Sequence, residues 1–420
     1  TDTSLTMTSS SLSHQTSHSL TLISHNESLI LQYDEANDLN SYCFCVSLHE
    51  LISTLCGIWK HTDASRISYE RLSTAMSNRV FVVRNDNSIE NTVEPMVVLV
   101  RVLGSSGHIQ TSPAEKERQR ILFAAGLVPR WFGIFGNGRV EEFITCEPIS
   151  ARTFRTPEVF HTLARKLHKV HSLLPHMVTS QACSIRDGLW GKLTGQQDKA
   201  MKAMETLRQL YCKGSAEKGN SERSDILQDI SQWGLFDYTS TPLLSAALSS
   251  SSPLVYAHCD LHHCNALLIP SQDNSSYPSW KSVFQDGYLI IDYEYAMVTT
   301  RGFDIANFIC ETTADYESSL PHVMDWGIFP CKEKRIQMYV EYLREEVHID
   351  SLCSKDLLSS CLSLDNEVMA YVPFVHLQWA HWGIIKASET PYKPGDFDYL
   401  MYAYSRYKEY MKYVLCMNTN

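Results

Sequence analysis

Apolar residues recur at helical spacing from Ser47 to Trp59, through Leu48, Leu51, Ile52, Leu55, Ile58 and Trp59, and predict an amphipathic helix. Two β-type runs follow, Val80 to Val83 and Met96 to Leu103, with Asn85, Asp86 and Asn87 starting the turn between them. A helix carrying Glu115, Glu117 and Arg120 comes next, then short strands at Trp131 to Phe135 and Val140 to Ile144. Beyond Ile144 the pattern becomes mainly helical: Val159 to Leu173, Val368 to Lys386 and Phe397 to Val414 read as helices, with polar linkers at 213–225 and 247–253. Ala266 to Ile269 and Tyr288 to Ile291 flank a Ser/Asn/Pro-rich loop at 271–281 and predict a hairpin with a long connection. Residues 1–30, rich in Ser and Thr, read as a flexible tail, because few large apolar groups are available to offset ordering entropy. The pattern therefore predicts an α+β chain: a β-containing lobe over 31–147 and a larger helical lobe over 148–420.

Composition narrows the function. With 36 Lys and Arg against 47 Asp and Glu, the net charge of −11 repels phosphate backbones and anionic surfaces, which argues against nucleic acid as a partner. No apolar run approaches the ~20 residues of a membrane helix, and the first residues lack a basic start followed by an apolar block, so a soluble, cytoplasmic protein without membrane insertion is expected. The 13 Cys, an odd number, often sit in apolar runs, as Cys43, Cys45 and Cys56 do, which suits reduced thiols better than a disulfide framework.

Two segments carry chemistry. His258-Cys259-Asp260-Leu261-His262-His263-Cys264-Asn265 separates Asp260 from Asn265 by the interval found in kinase catalytic loops, where the acid orients a hydroxyl and the amide oxygen binds metal. Ile290-Ile291-Asp292-Tyr293-Glu294 places Asp292 directly behind an apolar strand, as a second metal-holding carboxylate. Singly, each has a plainer reading: Asn265 can cap its own backbone and Asp292 can end a strand. The neighbouring His258, Cys259, His262, His263 and Cys264 also invite a zinc reading. Tetrahedral sites usually draw on two separated pairs, and no C-x-x-C or H-x-x-x-H partner occurs elsewhere, so their crowding counts against it.

These residues, with Ile291-Asp292-Tyr293-Glu294-Tyr295 running on through Arg301-Gly302-Phe303-Asp304-Ile305-Ala306-Asn307 to Cys310-Glu311, resemble the choline/ethanolamine kinase family from about Tyr69 to Tyr413. The resemblance implies the eukaryotic protein-kinase-like, two-lobed fold, ATP and Mg2+ as cofactors, choline or ethanolamine as substrate, and a homodimer. It makes Asp260 the catalytic carboxylate, Asn265 and Asp292 the magnesium ligands, and Asp304 a support for the catalytic loop, with His258, Glu294 and Arg301 around it. His262 stands where the family usually has Gln; it can still donate a hydrogen bond, and its contribution would vary with pH. Arg101 in Val97-Val98-Leu99-Val100-Arg101 matches the basic residue that reaches ATP phosphates, paired with Glu115 or Glu117, although a charge on an edge strand can equally face solvent. Glu141, Glu142, Phe143 and Ile144 match the hinge that receives adenine, and Ser77 and Asn78 the nucleotide loop, where Ser73 to Met76 lack the usual glycines.

A trimethylammonium group offers no N–H donor and is held by aromatic faces and nearby carboxylates. Resemblance places Tyr295, Tyr316, Trp379, Trp382, Phe397 and Tyr402 around it, with Glu311 supplying negative charge. Trp379 and Trp382 share a helix face, a spacing that core packing also produces. Ethanolamine kinases resemble Phe397-Asp398-Tyr399-Leu400 about as well. An aminoglycoside-type kinase and a pseudokinase binding module are the remaining readings.

Overall fold

The structure is a computed structural model that describes residues 24–26, 28–31, 42–72, 78–86, 96–103, 112–181, 188–212, 218–232, 241–270, 286–344 and 354–418. Ser73 to Ser77, the loop at 271–281 and residues 213–217 lie outside these, as do Asn87 and residues 1–23.

The chain divides into two compact units, 1–110 with 130–143 and 111–129 with 144–420. The first contains β1 (Ser24–Asn26), α1 (Tyr42–Cys56), β2 (Ile67–Leu72), β3 (Asn78–Asn85), β4 (Val97–Leu103), β5 (Trp131–Phe135) and β6 (Gly138–Glu142). Its six strands lie in the order β1-β5-β6-β4-β3-β2, antiparallel except for β1 beside β5. Ser24–Asn26 is thus a strand, against the expectation of a tail reaching residue 30: pairing with Gly133 to Phe135 satisfies its backbone. The alternation along β4 sends Val98, Val100 and Val102 into a core shared with Phe44, Leu48 and Ile52 of α1, so Arg101 leaves by the opposite face. Because β4 lies between β3 and β6, Arg101 is not on an edge strand.

The second unit begins with α2 (Pro113–Ala124), which sequence assigned to the β-containing lobe. Ile121 and Leu122 of α2 pack with Val170, Leu173 and Tyr256, and this apolar contact outweighs their position along the chain. It continues with β7 (Glu147–Pro148), α3 (Ala151–Phe154), α4 (Pro157–His171), α5 (Leu174–Thr179), α6 (Leu189–Cys212), α7 (Lys218–Gln232) and α8 (Pro242–Ser249). Residues 218–225 and 247–249, read as linker, are therefore helical. There follow β8 (Leu254–Ala257), β9 (Ala266–Leu268), β10 (Tyr288–Ile290), β11 (Met297–Thr300), α9 (Arg301–Cys310), α10 (Lys332–Leu343), α11 (Ser354–Glu389) and α12 (Tyr399–Asn418).

Two short antiparallel ladders position the chemistry: β8 pairs with β11, Ala257 opposite Met297, and β9 pairs with β10, Ala266 opposite Ile290. The 258–265 segment joins β8 to β9 and the 291–296 segment joins β10 to β11. Ladder pairing therefore brings the two loops to the same place. Gly302 through Cys310 of α9 are all buried and pack on α11, which also meets α6 and α12. Among the described residues, no helix is long and apolar enough to cross a membrane.

Candidate active site

Asp304 organises the 258–265 loop. Its Oδ1 accepts from the Cys259 N–H at 2.7 Å and its Oδ2 from the His258 N–H at 2.9 Å, while His171 Nε2 lies 2.8 Å from Oδ2. Burial alone would raise this carboxyl; the His171 hydrogen bond and charge, with His258 and the Cys259 amide, outweigh it and hold Asp304 below the usual range. The two amides converge because Cys259 adopts a left-handed conformation, φ 64°, which costs a non-glycine residue energy that the Asp304 contacts offset. His258 ties the two loops together: Asp260 N–H donates to Nδ1 at 3.2 Å, so Nε2 carries the hydrogen and donates to the Ile291 carbonyl at 3.0 Å. The Ile291 N–H in turn donates to the Asn265 carbonyl at 3.0 Å.

Asp260, Asn265 and Asp292 are thereby brought together. Asn265 Nδ2 donates to the Asp260 carbonyl at 2.9 Å and to Asp260 Oδ2 at 3.3 Å, which turns its amide oxygen to the other side. Asp292 is exposed and also left-handed, φ 66°. The Asp260 carboxyl is pushed well above its ordinary value by burial, then by Glu311, Asp292 and Glu294, and is drawn down in part by Lys192. Carboxylates crowded this way hold a proton or a cation, and the hard oxygen donors Asn265 Oδ1 and Asp292 fit magnesium.

His262 departs from its expected role. Its Nδ1 accepts the Cys264 N–H at 3.2 Å, and its Nε2 stands 3.8 Å from Asp260 Oδ2, beyond hydrogen-bond range. Burial lowers its pKa to about 4, so the imidazole is neutral and adds no pH dependence near neutrality. Arg301 makes a bidentate pair with Glu367, at 3.1 and 2.6 Å, and so joins α9 to α11. Glu294 is exposed beside Asp292.

All six expected aromatic residues belong to one continuous series of ring contacts. Tyr295 meets Trp379 at 5.6 Å between centroids, Trp379 meets Trp382 at 5.5 Å, and Trp382 meets Tyr402 at 6.0 Å. Tyr402 meets Phe397 at 5.5 Å and Phe397 meets Tyr316 at 6.4 Å. Tyr295, Trp382, Phe397 and Tyr316 are part-exposed, with Trp379 and Tyr402 buried behind them. The indole hydrogens are already used: Trp379 Nε1 donates to Asn307 Oδ1 at 2.7 Å and Trp382 Nε1 to the Tyr295 hydroxyl at 3.0 Å. Glu311 differs from expectation. It is 1 % exposed, its Oε2 accepts from the Tyr316 hydroxyl at 2.7 Å, and its Oε1 accepts from Arg406 Nη2. The carboxylate expected to offer negative charge thus sits in a buried ion pair with Arg406.

In the first unit, Arg101 Nε meets Glu141 Oε1 at 3.3 Å. In the second unit, Glu117 pairs with Arg120 at 2.6 Å, and the Glu115 N–H donates to Ser112 Oγ at the start of α2. Burial would raise Glu141, but Arg139 and then Arg101 outweigh it and keep its carboxyl low. The Glu142 carboxylate accepts the Arg130 N–H at 3.1 Å, and the chain leaves this unit after Phe143, with Ile144 buried in the second. Asn78 opens β3, with its side chain outside the described set.

The choline/ethanolamine kinase family model matches residues 69–411. The chain belongs to the choline/ethanolamine kinase family. Its relatives in that family include a probable choline kinase 2 of Arabidopsis thaliana, 27% identical over 86% of this chain and 90% of the relative. A probable ethanolamine kinase of the same plant is 28% identical over 86% of this chain and 84% of the relative. A choline kinase of Cryptosporidium parvum Iowa II superposes with a TM-score of 0.61 at 22% identity, over 87% of this chain and 94% of that one. The fold is protein-kinase-like, with the small sheet-bearing unit and the larger helical unit that this family shares.

Sequence reasoning missed several members of the site. Arg406 and Asn307 hold Glu311 and Trp379, and Arg155 pins the turn after Glu311 through the Thr312 and Ala314 carbonyls at 2.6 and 2.8 Å. Lys192 Nζ lies 5.2 Å from the Tyr295 ring centroid. Each is a lone charge or amide whose partner is distant in sequence, so no local spacing marks it.

Proposed function

We propose that this chain transfers the γ-phosphoryl group of ATP to the hydroxyl of choline, yielding phosphocholine. The observation that carries the preference for choline is how the polar groups near the six rings are spent. Both Glu311 oxygens are taken by Tyr316 and Arg406, and the Tyr295 hydroxyl accepts from Trp382. A primary ammonium such as ethanolamine needs acceptors for three N–H donors, whereas a quaternary ammonium needs ring faces and no acceptor. Rings with their nearby acceptors already engaged favour the latter.

In this reading Asp260 orients the choline hydroxyl and takes its proton. Its raised proton affinity suits a base that must first be ionised and then reload. Asn265 and Asp292 would hold Mg2+, which when bound supplies positive charge against the phosphate oxygens. Asp304 and His258 keep the loop in register. Arg101 would take a nucleotide phosphate, exchanging part of its pairing with Glu141 for a bidentate contact, and the backbone at 141–144 would receive adenine.

The test is magnesium-dependent ADP formation with choline, ethanolamine and an aminoglycoside side by side. Choline should show kcat/KM at least about tenfold above ethanolamine, since leaving donors unpaired costs more than 1 kcal/mol. Ethanolamine equal to or better than choline removes the substrate assignment. Absence of turnover with all three removes the kinase.

A further inference from the structure

The five His and Cys residues crowded into 258–264 part company in the structure. His258 spans the two loops, and Cys259 is wholly buried beneath Asp304, where it gives its amide to the carboxylate. His262, His263 and Cys264 remain, and one ligand atom from each lies within 4.8 Å of the others. The three side chains follow one another at the start of a 3-10 turn, His263–Asn265, that His262 N-caps.

A second feature points the same way. His263 is 0 % exposed, yet neither of its ring nitrogens has a hydrogen-bond partner. Its ring stacks on Tyr316 at 5.4 Å and meets Phe154 edge-on at 6.5 Å, so packing holds it without satisfying either nitrogen. A buried imidazole with neither nitrogen satisfied is destabilising unless something ligates it.

We propose that His262, His263 and Cys264 form a binding site for one thiophilic divalent cation of the zinc class, separate from the oxygen-donor site of Asn265 and Asp292. Two imidazoles and a thiolate are soft donors that select zinc or cobalt over magnesium. Tetrahedral bonds of about 2.0–2.3 Å place donors about 3.5 Å apart, so separations of up to 4.8 Å must shorten by about 1 Å as the ion binds. Three protein ligands leave a fourth position for water. Cys264 binds as the thiolate, its proton passing to solvent as the sulfur–metal bond forms, so binding releases one proton. His262 Nε2 stands 3.8 Å from Asp260, which puts the ion at the edge of the catalytic loop.

The experiment titrates Co2+ into the full chain with millimolar Mg2+ present throughout. The expected result is a near-ultraviolet sulfur-to-cobalt charge-transfer band with tetrahedral visible bands, saturating at about one ion per chain and bleached by Zn2+. Cys264→Ser should abolish the charge-transfer band, and His263→Gln should weaken cobalt binding at least about tenfold, as loss of one ligand does. Other thiols, including exposed Cys43, Cys331 and Cys416, are unchanged in both variants and serve as the internal control. A wild-type chain with no sulfur-to-cobalt band overturns the proposal. So does a band that persists in Cys264→Ser, which would assign the sulfur elsewhere, or binding indifferent to His263→Gln. Kinase turnover is not part of the readout, so the outcome is independent of the choline assignment.

Discussion

At the scale of single residues, Asp260 carries two opposed demands. Burial, with Glu311, Asp292 and Glu294 nearby, raises its folded-state pKa above the unfolded value of about 3.9. Between those two values the native chain binds more protons than the unfolded one. Stability contributed by this group is therefore present at low pH and lost as pH rises through the folded pKa. Asp260→Asn removes that loss. In chelator-treated protein, thermal unfolding of the variant should depend less on pH than wild type, with the variant melting higher at alkaline pH. Its turnover should fall by about 10² or more, because the proton acceptor is gone. Added Mg2+ should raise the melting point of wild type more than that of the variant. A variant melting below wild type at every pH would mean that the Asn265 Nδ2 contact at 3.3 Å outweighs the carboxylate repulsion.

At the scale of elements, the pocket depends on how closely α11 and α12 approach. Gly383 lies in that contact, and a Cβ there would stand 2.9 Å from Ala403 Cβ and 3.0 Å from the Tyr399 carbonyl oxygen. An alanine would gain up to about 1 kcal/mol of helix propensity, but overpacking against backbone costs about 1–3 kcal/mol. Overpacking wins, since α12 can make room only by moving. Trp382 precedes Gly383 and Tyr402 precedes Ala403, so Gly383→Ala should raise KM for choline several-fold and leave KM for ATP within twofold. Equal changes in both would show a general loss of fold instead. The sequence reveals these helices through their apolar spacing, and it reveals Asp260, Asn265 and Asp292 through motif spacing that the β8–β11 and β9–β10 ladders convert into proximity. The β9–β10 ladder is legible as the hairpin of Ala266 to Ile269 with Tyr288 to Ile291, whereas the β8–β11 ladder is hidden, because four-residue strands such as Leu254–Ala257 and Met297–Thr300 exist only by pairing with each other. The sequence likewise hides the Glu311–Arg406 pair, whose members lie 95 residues apart, with Arg406 in a polar-looking run that gives no sign of complete burial.

At the scale of the whole molecule, the net charge of −11 acts on the two proposed substrates with opposite sign. Choline is a cation, and a negative field concentrates it near the chain; magnesium-bound ATP is an anion, and the same field thins it out. Salt shortens the reach of that field to about 10 Å at 0.1 M. Raising ionic strength from low to physiological should therefore lower kcat/KM for choline and raise kcat/KM for ATP, each by a few-fold, with kcat at saturation nearly constant. Contacts inside the site are shielded from this screening by burial, as at Glu311 and Arg406, which are 1 % and 0 % exposed as residue side chains. The opposition in sign is what distinguishes a long-range field from a salt effect on the fold, which would move both constants the same way. Initial rates with each substrate varied in turn, at several KCl concentrations and fixed free magnesium, decide it: parallel slopes would show that the molecule's net charge does not govern encounter with either partner.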